Sequence, residues 1–258
     1  MIIKNNKIKL IFEGIIIPYI IYILGSVIIA SIIRQLNISS NLIFIQGISN
    51  IILLLILIPM YIRYINNHSI KFVFYDFKFL IYIIILGFSL CFICNIIINY
   101  IPRTKENIVS ENIYKLTEEL NIYITLFIIC IIVPLIEEII FRGFFYDTVK
   151  LISNDILAIL FTSISFALAH SDLQQIIYAF FAGIFISYIK FKFKNILYSI
   201  IVHLIMNLTS YIFMPLLFGT DSNINKLYIL FIMFAIFIIV LIRLHLYNIN
   251  NNLERRNI

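Results

Sequence analysis

Long apolar runs are the feature of this sequence that most constrains its fold. A helix needs about 20 apolar residues to cross the ~30 Å hydrocarbon core of a bilayer, whereas strands are much shorter. The alternating pattern typical of membrane β-barrels is absent. The runs therefore predict an all-α polytopic membrane protein, a bundle of about eight transmembrane helices. The predicted spans are residues 10–33, 41–62, 79–100, 121–141, 154–170, 173–189, 196–218 and 227–247.

The composition excludes other classes of protein. Of the 258 residues 62% are hydrophobic and 12% charged, whereas a soluble domain carries about 25% charged residues. A soluble globular domain, a disordered chain and a nucleic-acid-binding domain are thus all disfavoured. No repeat or linker divides the chain, so residues 1–258 are predicted to form a single integral membrane domain. Its only long connection is 101–120, which is mixed in charge and predicted to be a solvated loop or a surface helix.

The basic residues predict the orientation in the cell membrane. Cytoplasmic loops carry an excess of Lys and Arg. With the N-terminus inside, 14 of the 19 basic residues lie on the cytoplasmic side. Both termini are therefore predicted to be cytoplasmic, with the lipid bilayer as a partner. The cytoplasmic set comprises Lys4, Lys7, Lys9, Arg63, Lys71, Lys78, Arg142, Lys150, Lys190, Lys192, Lys194, Arg243, Arg255 and Arg256.

Two adjacent carboxylates, Glu137 and Glu138, lie inside the fourth span. A charge at the bilayer centre costs about 2.5–3.5 kcal/mol, so such residues face the protein interior or water and mark functional sites. Glu138 and Arg142 are four apart and can pair on one helix face. Glu137 is rotated about 100° away and points elsewhere. Pro134, just upstream, removes one backbone hydrogen bond.

Two further polar groups occur in apolar helices. Phe166 and His170 end the fifth span, and His203 and Asn207 share one face of the seventh. Each group has a structural explanation alone: a buried ion pair for Glu138 and Arg142, an interfacial histidine, and a hydrogen bond between helices. Together they hold nearly all the strongly polar groups of the spans, which favours a shared site.

The residues of this site suit hydrolysis by an activated water. Glu137 with His170 would hold and deprotonate the water, and His203 and Asn207 would donate hydrogen bonds to an oxyanion. Alternatively, Glu137, His170 and His203 would bind Zn²⁺, which activates water itself. The zinc-protease motif HExxH is absent. Sequence spacing leaves both alternatives open.

The three motifs together resemble the CPBP family, the CAAX-protease and bacteriocin-processing family also called Abi. Glu137-Glu138-x-x-x-Arg142, Phe166-x-x-x-His170 and His203-x-x-x-Asn207 match its pattern in order and spacing. The resemblance covers a core at 121–210. It implies an intramembrane endopeptidase in which Glu137 and His170 activate water and His203 and Asn207 form the oxyanion hole. Glu138, Arg142 and Phe166 would support the site.

The resemblance leaves the mechanism and the substrate to be inferred. A glutamate mechanism without a cofactor is favoured over Zn²⁺, because the first motif supplies no histidine and Asn207 is a poor zinc ligand. The expected substrate is a small membrane-associated peptide or protein, in peptide maturation or bacteriocin self-immunity. Two alternatives are a non-catalytic immunity protein that binds a bacteriocin, and a proton-coupled transporter that uses the Glu/His cluster as a relay.

Two further patterns concern packing. The cysteines Cys91, Cys94 and Cys130 lie in apolar runs and are expected to be small buried hydrophobes. Small residues four apart in the fifth and sixth spans predict that these two helices pack closely and lie inside the bundle rather than facing lipid. These residues are Ser163, Ala167 and Ser171 in one helix and Ala179, Gly183 and Ser187 in the other.

Overall fold

The computed structural model describes residues 2–71, 73–74, 77–98, 120–214 and 226–254. These residues form helices joined by short turns and contain no strand, so the predicted all-α fold is confirmed. Each predicted span coincides with a helix. The predicted connection 101–120 lies, apart from Leu120, outside the described residues. Within the described ranges, five helices are long and apolar enough to cross a membrane: Lys7–Gln35, Leu42–Asn67, Ile122–Ile152, Leu173–Phe193 and Ile196–Phe213.

Short π-helical segments interrupt several of these helices. The first helix comprises α1 (Ile2–Ile11), π1 (Phe12–Ile16) and α2 (Ile17–Gln35), and α3 (Leu42–Asn67) and α4 (Phe77–Ile98) follow. The long fourth helix comprises α5 (Ile122–Phe127), π2 (Ile128–Ile132), α6 (Val133–Glu138), π3 (Ile139–Phe145) and α7 (Tyr146–Ile152). Then come α8 (Asp155–Leu168), α9 (Leu173–Phe193), α10 (Ile196–Leu208), π4 (Thr209–Phe213) and α11 (Lys226–Glu254).

Polar caps set where the helices begin. A side-chain oxygen at the N-cap accepts a bond from one of the otherwise unpaired N–H groups of the first turn. Asn or Asp side chains do so at the starts of α3, α5, α8, α9 and α10. Between α9 and α10 the chain reverses over two residues: Lys194 is left-handed at φ 51° and Asn195 caps the next helix. The strongly apolar sequence is thus divided into antiparallel helices by single polar residues.

Helix α8 is too short to cross a bilayer. Its 14 residues extend about 21 Å at 1.5 Å per residue, against a hydrocarbon core of about 30 Å. The turn after α8 carries His170, and α9 packs against α8 after this turn.

The described residues form two large apolar cores that share α9 and α10, and a third, small cluster of Tyr146, Val149 and Ala158. One surrounds Leu57 of α3 and Ile140 of π3. The other surrounds Ile83 of α4 and Val202 of α10, and includes Phe237 of α11. The polar residues of the candidate site come from the helices at the boundary between these cores. The site is therefore held by rigid apolar packing on both sides.

The predicted close packing of the fifth and sixth spans is confirmed. A Cβ on Gly183 of α9 would lie 3.2 Å from the Cα of Ser163 on α8. The prediction that both helices lie inside the bundle rather than facing lipid is wrong, because Ile156 and Leu168 of α8 are each 71% exposed and Phe181 of α9 is 52% exposed. Small residues fix one face of a helix and leave the opposite face free to contact lipid.

Candidate active site

Glu138 is the centre of a buried hydrogen-bonded group. Its Oε1 accepts a 2.9 Å bond from Nη1 of Arg142 and a 2.8 Å bond from Nδ1 of His203. Glu138 and Arg142 are fully buried. The i,i+4 pair expected from the sequence therefore forms, and helix α10 is bonded to it. The acceptor of both bonds is a carboxylate, and hydrogen bonds to an ionised group are strong.

Arg142 is enclosed by helices α8 and α9 as well. Its guanidinium carbon lies 4.4 Å from the centre of the Phe166 ring. Its Nη2 donates a long, 3.4 Å bond to the carbonyl oxygen of Gly183. Only a glycine allows α9 to come this close, since a Cβ on Gly183 would be 3.3 Å from the same nitrogen. Phe166 thus supports the site through a cation–π contact.

Glu137 has a different environment from its neighbour. Its side chain is 18% exposed, and its Oε2 lies 3.7 Å from Nε2 of His203. Both His203 and His170 lie within electrostatic range of its carboxylate. One carboxylate is thus committed to an arginine, while the next faces two imidazoles, as the helical rotation predicts.

His170 lies in the turn after α8, beside the Phe166 ring. The two ring centres are 5.1 Å apart, and His203 contacts the same phenylalanine at 5.5 Å. Nδ1 of His170 is 3.0 Å from the carbonyl oxygen of Phe166. A carbonyl accepts only, so Nδ1 is the donor and Nε2 of the neutral ring keeps its lone pair. Phe166 therefore orients both imidazoles.

Asn207 is bonded to the fourth helix through a carbonyl that a proline leaves free. In π2 the N–H of Val133 bonds the carbonyl of Ile128. The next carbonyl, Ile129, then falls opposite Pro134, which has no N–H. Nδ2 of Asn207 donates to this Ile129 carbonyl at 3.1 Å. The backbone bond that Pro134 removes is thus replaced by the side chain of a predicted site residue.

Residues 119–209 match the family model described as Rce1-like, type II CAAX prenyl endopeptidase Rce1-like. The match confirms the resemblance to the CAAX-protease family. We call residues 119–209 the Rce1-like segment. It contains all seven residues that the motifs place in the site. The match supports a CAAX-type intramembrane endopeptidase in a multi-pass membrane protein. No curated protein and no solved structure matches the chain.

The Rce1-like segment does not bring the predicted zinc ligands together as a set. Among the described residues, no group of three His, Cys, Asp or Glu side chains is placed to hold a metal ion. Oε2 of Glu137 and Nε2 of His203 are 3.7 Å apart, and Nε2 of His170 keeps its lone pair, but the three side chains are not placed as a set. As arranged, these residues do not fit Zn²⁺, which requires at least three protein ligands at about 2.0–2.2 Å.

A second buried ion pair was missed by the sequence analysis. Nζ of Lys190, counted there among the cytoplasmic basic residues, is 3.1 Å from Oδ2 of Asp147. Both are under 5% exposed, and the hydroxyl of Tyr61 donates to the same oxygen at 2.6 Å. Because Asp147 and Lys190 are 43 residues apart, no local spacing could have paired them.

The sequence analysis also missed two tyrosines near the candidate base. Tyr22 and Tyr211 lie within electrostatic range of Glu137.

Proposed function

We propose that the protein is an intramembrane endopeptidase that hydrolyses a peptide bond of a small membrane-associated peptide or protein, with Glu137 as the base. The observation that carries this proposal is the contrast between the two carboxylates. Glu138 is neutralised by Arg142 in the buried core, whereas Glu137 is partly exposed and faces two imidazoles. A structural ion pair needs only Glu138; the second carboxylate requires another role.

The two histidines are oriented for different roles. Since Nδ1 of His170 donates to a carbonyl, its Nε2 accepts a proton or a bond from water. Nδ1 of His203 is bonded to a carboxylate, so its Nε2 donates only when the ring is an imidazolium. A role for His203 at the oxyanion thus requires the imidazolium form of its ring. We therefore assign His170 to the water and His203 to the oxyanion.

The proposed reaction has two steps. Glu137, assisted by His170, takes a proton from a water, whose oxygen attacks the carbonyl carbon of the substrate. The oxyanion accepts hydrogen bonds from His203 and from Asn207, whose amide has a second N–H beside the one bonded to Ile129. The carbon–nitrogen bond then breaks, and Glu137 returns the proton to the leaving amine. Loss of one oxyanion donor typically costs about 10²–10³ in kcat.

The substrate class follows from the family resemblance. We propose a role in peptide maturation or in bacteriocin self-immunity, on a substrate that reaches the site from the membrane. The proposed reaction uses only side chains of the protein, since no three His, Cys, Asp or Glu side chains among the described residues are placed to hold a metal ion.

The test compares peptide termini in cells that carry the wild type, Glu137→Gln or Glu13→Gln. Glu13 is the control, an acidic residue 41% exposed in an ion pair with Lys9. All three proteins are matched in amount by immunoblot. We expect mass spectrometry to find peptide termini that are present with the wild type and with Glu13→Gln but absent with Glu137→Gln. Identical termini in all three would contradict the proposal, and protection from a bacteriocin that persists in Glu137→Gln would favour a binding-type immunity protein.

Peptides that span these termini then serve as substrates for purified protein in liposomes. Cleavage that survives 1,10-phenanthroline supports the glutamate mechanism. Cleavage that is lost and then restored by Zn²⁺ would instead support the metal alternative.

A further inference from the structure

A polar cluster outside the catalytic motifs surrounds the end of helix α10. It consists of Cys91 and Asn95 of α4, Ser210 of π4 and Tyr178 of α9, and we call it the Cys91 cluster. Nδ2 of Asn95 donates to Oγ of Ser210 at 3.1 Å, and that hydroxyl donates back to Oδ1 of Asn95 at 3.3 Å. Nδ2 also lies 3.1 Å from Sγ of Cys91. The hydroxyl of Tyr178 donates to the same sulfur at 3.9 Å.

The cluster bonds the backbone of α10 next to Asn207. The thiol of Cys91, fully buried, donates to the carbonyl oxygen of Met206 at 3.2 Å. One turn earlier on α4, a Cβ on Gly87 would lie 3.0 Å from the carbonyl oxygen of Val202. Helix α4 therefore lies directly against the α10 backbone. Cys91 bonds the carbonyl of Met206, and Asn95 bonds the side-chain hydroxyl of Ser210 in π4, so that the two contacts lie on either side of Asn207.

Asn207 is thereby held between two helices. Its side chain donates to Ile129 of the fourth helix. The adjacent Met206 carbonyl and the Ser210 side chain three residues on are bonded to α4. The helix changes from α to π at Thr209. The thiol and the amide thus add a restraint at this change of helix type, from outside the Rce1-like segment.

We propose that Cys91 and Asn95 are positioning residues that set where the Asn207 amide lies. The inference rests on the proposed function, in which Asn207 donates to the oxyanion. A donor must stand within a few tenths of an ångström of its productive place, because misplacement by about 1 Å can cost about 10²-fold in rate. A hydrogen bond that only joins helices would contribute to stability alone.

The test measures kcat and KM for cleavage of the identified peptide by purified variants in liposomes. Cys91→Ala removes the donor to Met206, and Cys91→Ser keeps one. Cys94→Ala is the matched control, since Cys94 is a buried cysteine one turn further along α4 and no hydrogen bond to α10 is described for it. We expect Cys91→Ala and Asn95→Leu to lower kcat about tenfold with KM within about twofold. Cys91→Ser and Cys94→Ala should stay within about twofold of the wild type.

A double-mutant cycle between Cys91 and Asn207 distinguishes a positioning role of the Cys91 cluster from a role in packing alone. If the cluster acts through Asn207, Cys91→Ala combined with Asn207→Ala is no slower than Asn207→Ala alone. Additive losses would overturn the inference and leave the proposed function intact. A wild-type protein that cleaves nothing would overturn the proposed function, and the inference with it.

A second variant keeps the test informative if Cys91→Ala fails to fold. Ser210→Ala removes one member of the reciprocal pair with little change in volume, and we expect the same non-additivity with Asn207→Ala. Unfolding temperatures in detergent accompany every variant. A loss of kcat that simply follows the unfolding temperature, and that Cys94→Ala shares, would also overturn the inference.

Discussion

Two neighbouring glutamates differ in this protein because a helix rotates them onto different faces. Glu138 points to Arg142 and His203 in the buried interior. Glu137 points to the partly exposed side, near the imidazoles of His203 and His170. The fully buried pair then fixes the framework, and the partly exposed carboxylate remains free to accept a proton.

The buried pair predicts a separation of stability from activity. Glu138→Ala leaves the Arg142 guanidinium buried without its carboxylate, and should lower the free energy of unfolding by about 3–5 kcal/mol. Glu138→Leu combined with Arg142→Met replaces the pair by apolar groups and should recover most of that loss. Activity should stay abolished in both, because Nδ1 of His203 has lost its acceptor.

Thermal unfolding in detergent and cleavage of the identified peptide check this prediction. An active double variant would show that Glu138 is dispensable for orienting His203. A double variant as unstable as Glu138→Ala would show that the ion pair itself stabilises the fold.

At the scale of elements, the π segments determine which backbone carbonyls remain available to bond side chains of other helices. The fourth helix changes register at π2 and π3, on both sides of the two glutamates. Within it, Pro134 leaves the Ile129 carbonyl to Asn207. A helix with an unbroken hydrogen-bond ladder would offer no acceptor there. A proline inside a membrane helix is tolerated when a neighbouring helix bonds the freed carbonyl.

Pro134→Ala should therefore stabilise the helix and impair the site. The restored N–H competes with Asn207 for a carbonyl of π2, and Pro is about 3 kcal/mol less favourable than Ala inside a helix. We expect an equal or higher unfolding temperature together with a kcat several-fold lower, measured on purified protein. Unchanged kcat would show that Asn207 does not depend on the Ile129 carbonyl.

The contact between α8 and α9 makes a second prediction at this scale. A Cβ on Gly183 would press on Ser163 and on Nη2 of Arg142. Gly183→Val adds bulk that neither the α8 backbone nor the buried guanidinium can accommodate, so unfolding temperature and activity should both fall. Phe181→Leu, at a site 52% exposed on the same helix, is the control and should change neither. A stable, active Gly183→Val would show that α8 and α9 can separate without disturbing Arg142.

At the scale of the whole molecule, the distribution of charge predicts the orientation in the membrane. The excess of Lys and Arg on one side predicts cytoplasmic termini. Arg142 and Lys190, counted in that excess, lie instead within the bundle as the partners of Glu138 and Asp147. Removing both from the cytoplasmic set leaves 12 basic residues there against 5 on the other side, so the prediction of the orientation does not depend on them.

Reporter fusions test the orientation. Alkaline phosphatase joined after residue 258 should be inactive in a bacterial host, and a fluorescent protein at the same place should be bright. The reverse result would place the basic loops on the far side of the membrane and contradict the charge argument.

The sequence by itself determined what is local along a helix. Apolar runs predicted each helix, because crossing a bilayer fixes both length and composition. The period of 3.6 residues paired Glu138 with Arg142 and turned Glu137 away from them. The ordered motifs that resemble a protease family also needed only the sequence, since their spacing is a property of the chain.

Only the tertiary structure decided how groups on different helices meet. His203 bonds Glu138 across 65 residues, Asn207 takes the carbonyl that faces Pro134, and Cys91 reaches Met206. The contacts of Lys190 with Asp147 and of Phe166 with Arg142 are of the same kind. Such contacts depend on the tilt, rotation and depth of each helix, which nearly uniform apolar sequences do not encode. They are set by where small residues such as Gly183 and Gly87 let two backbones approach.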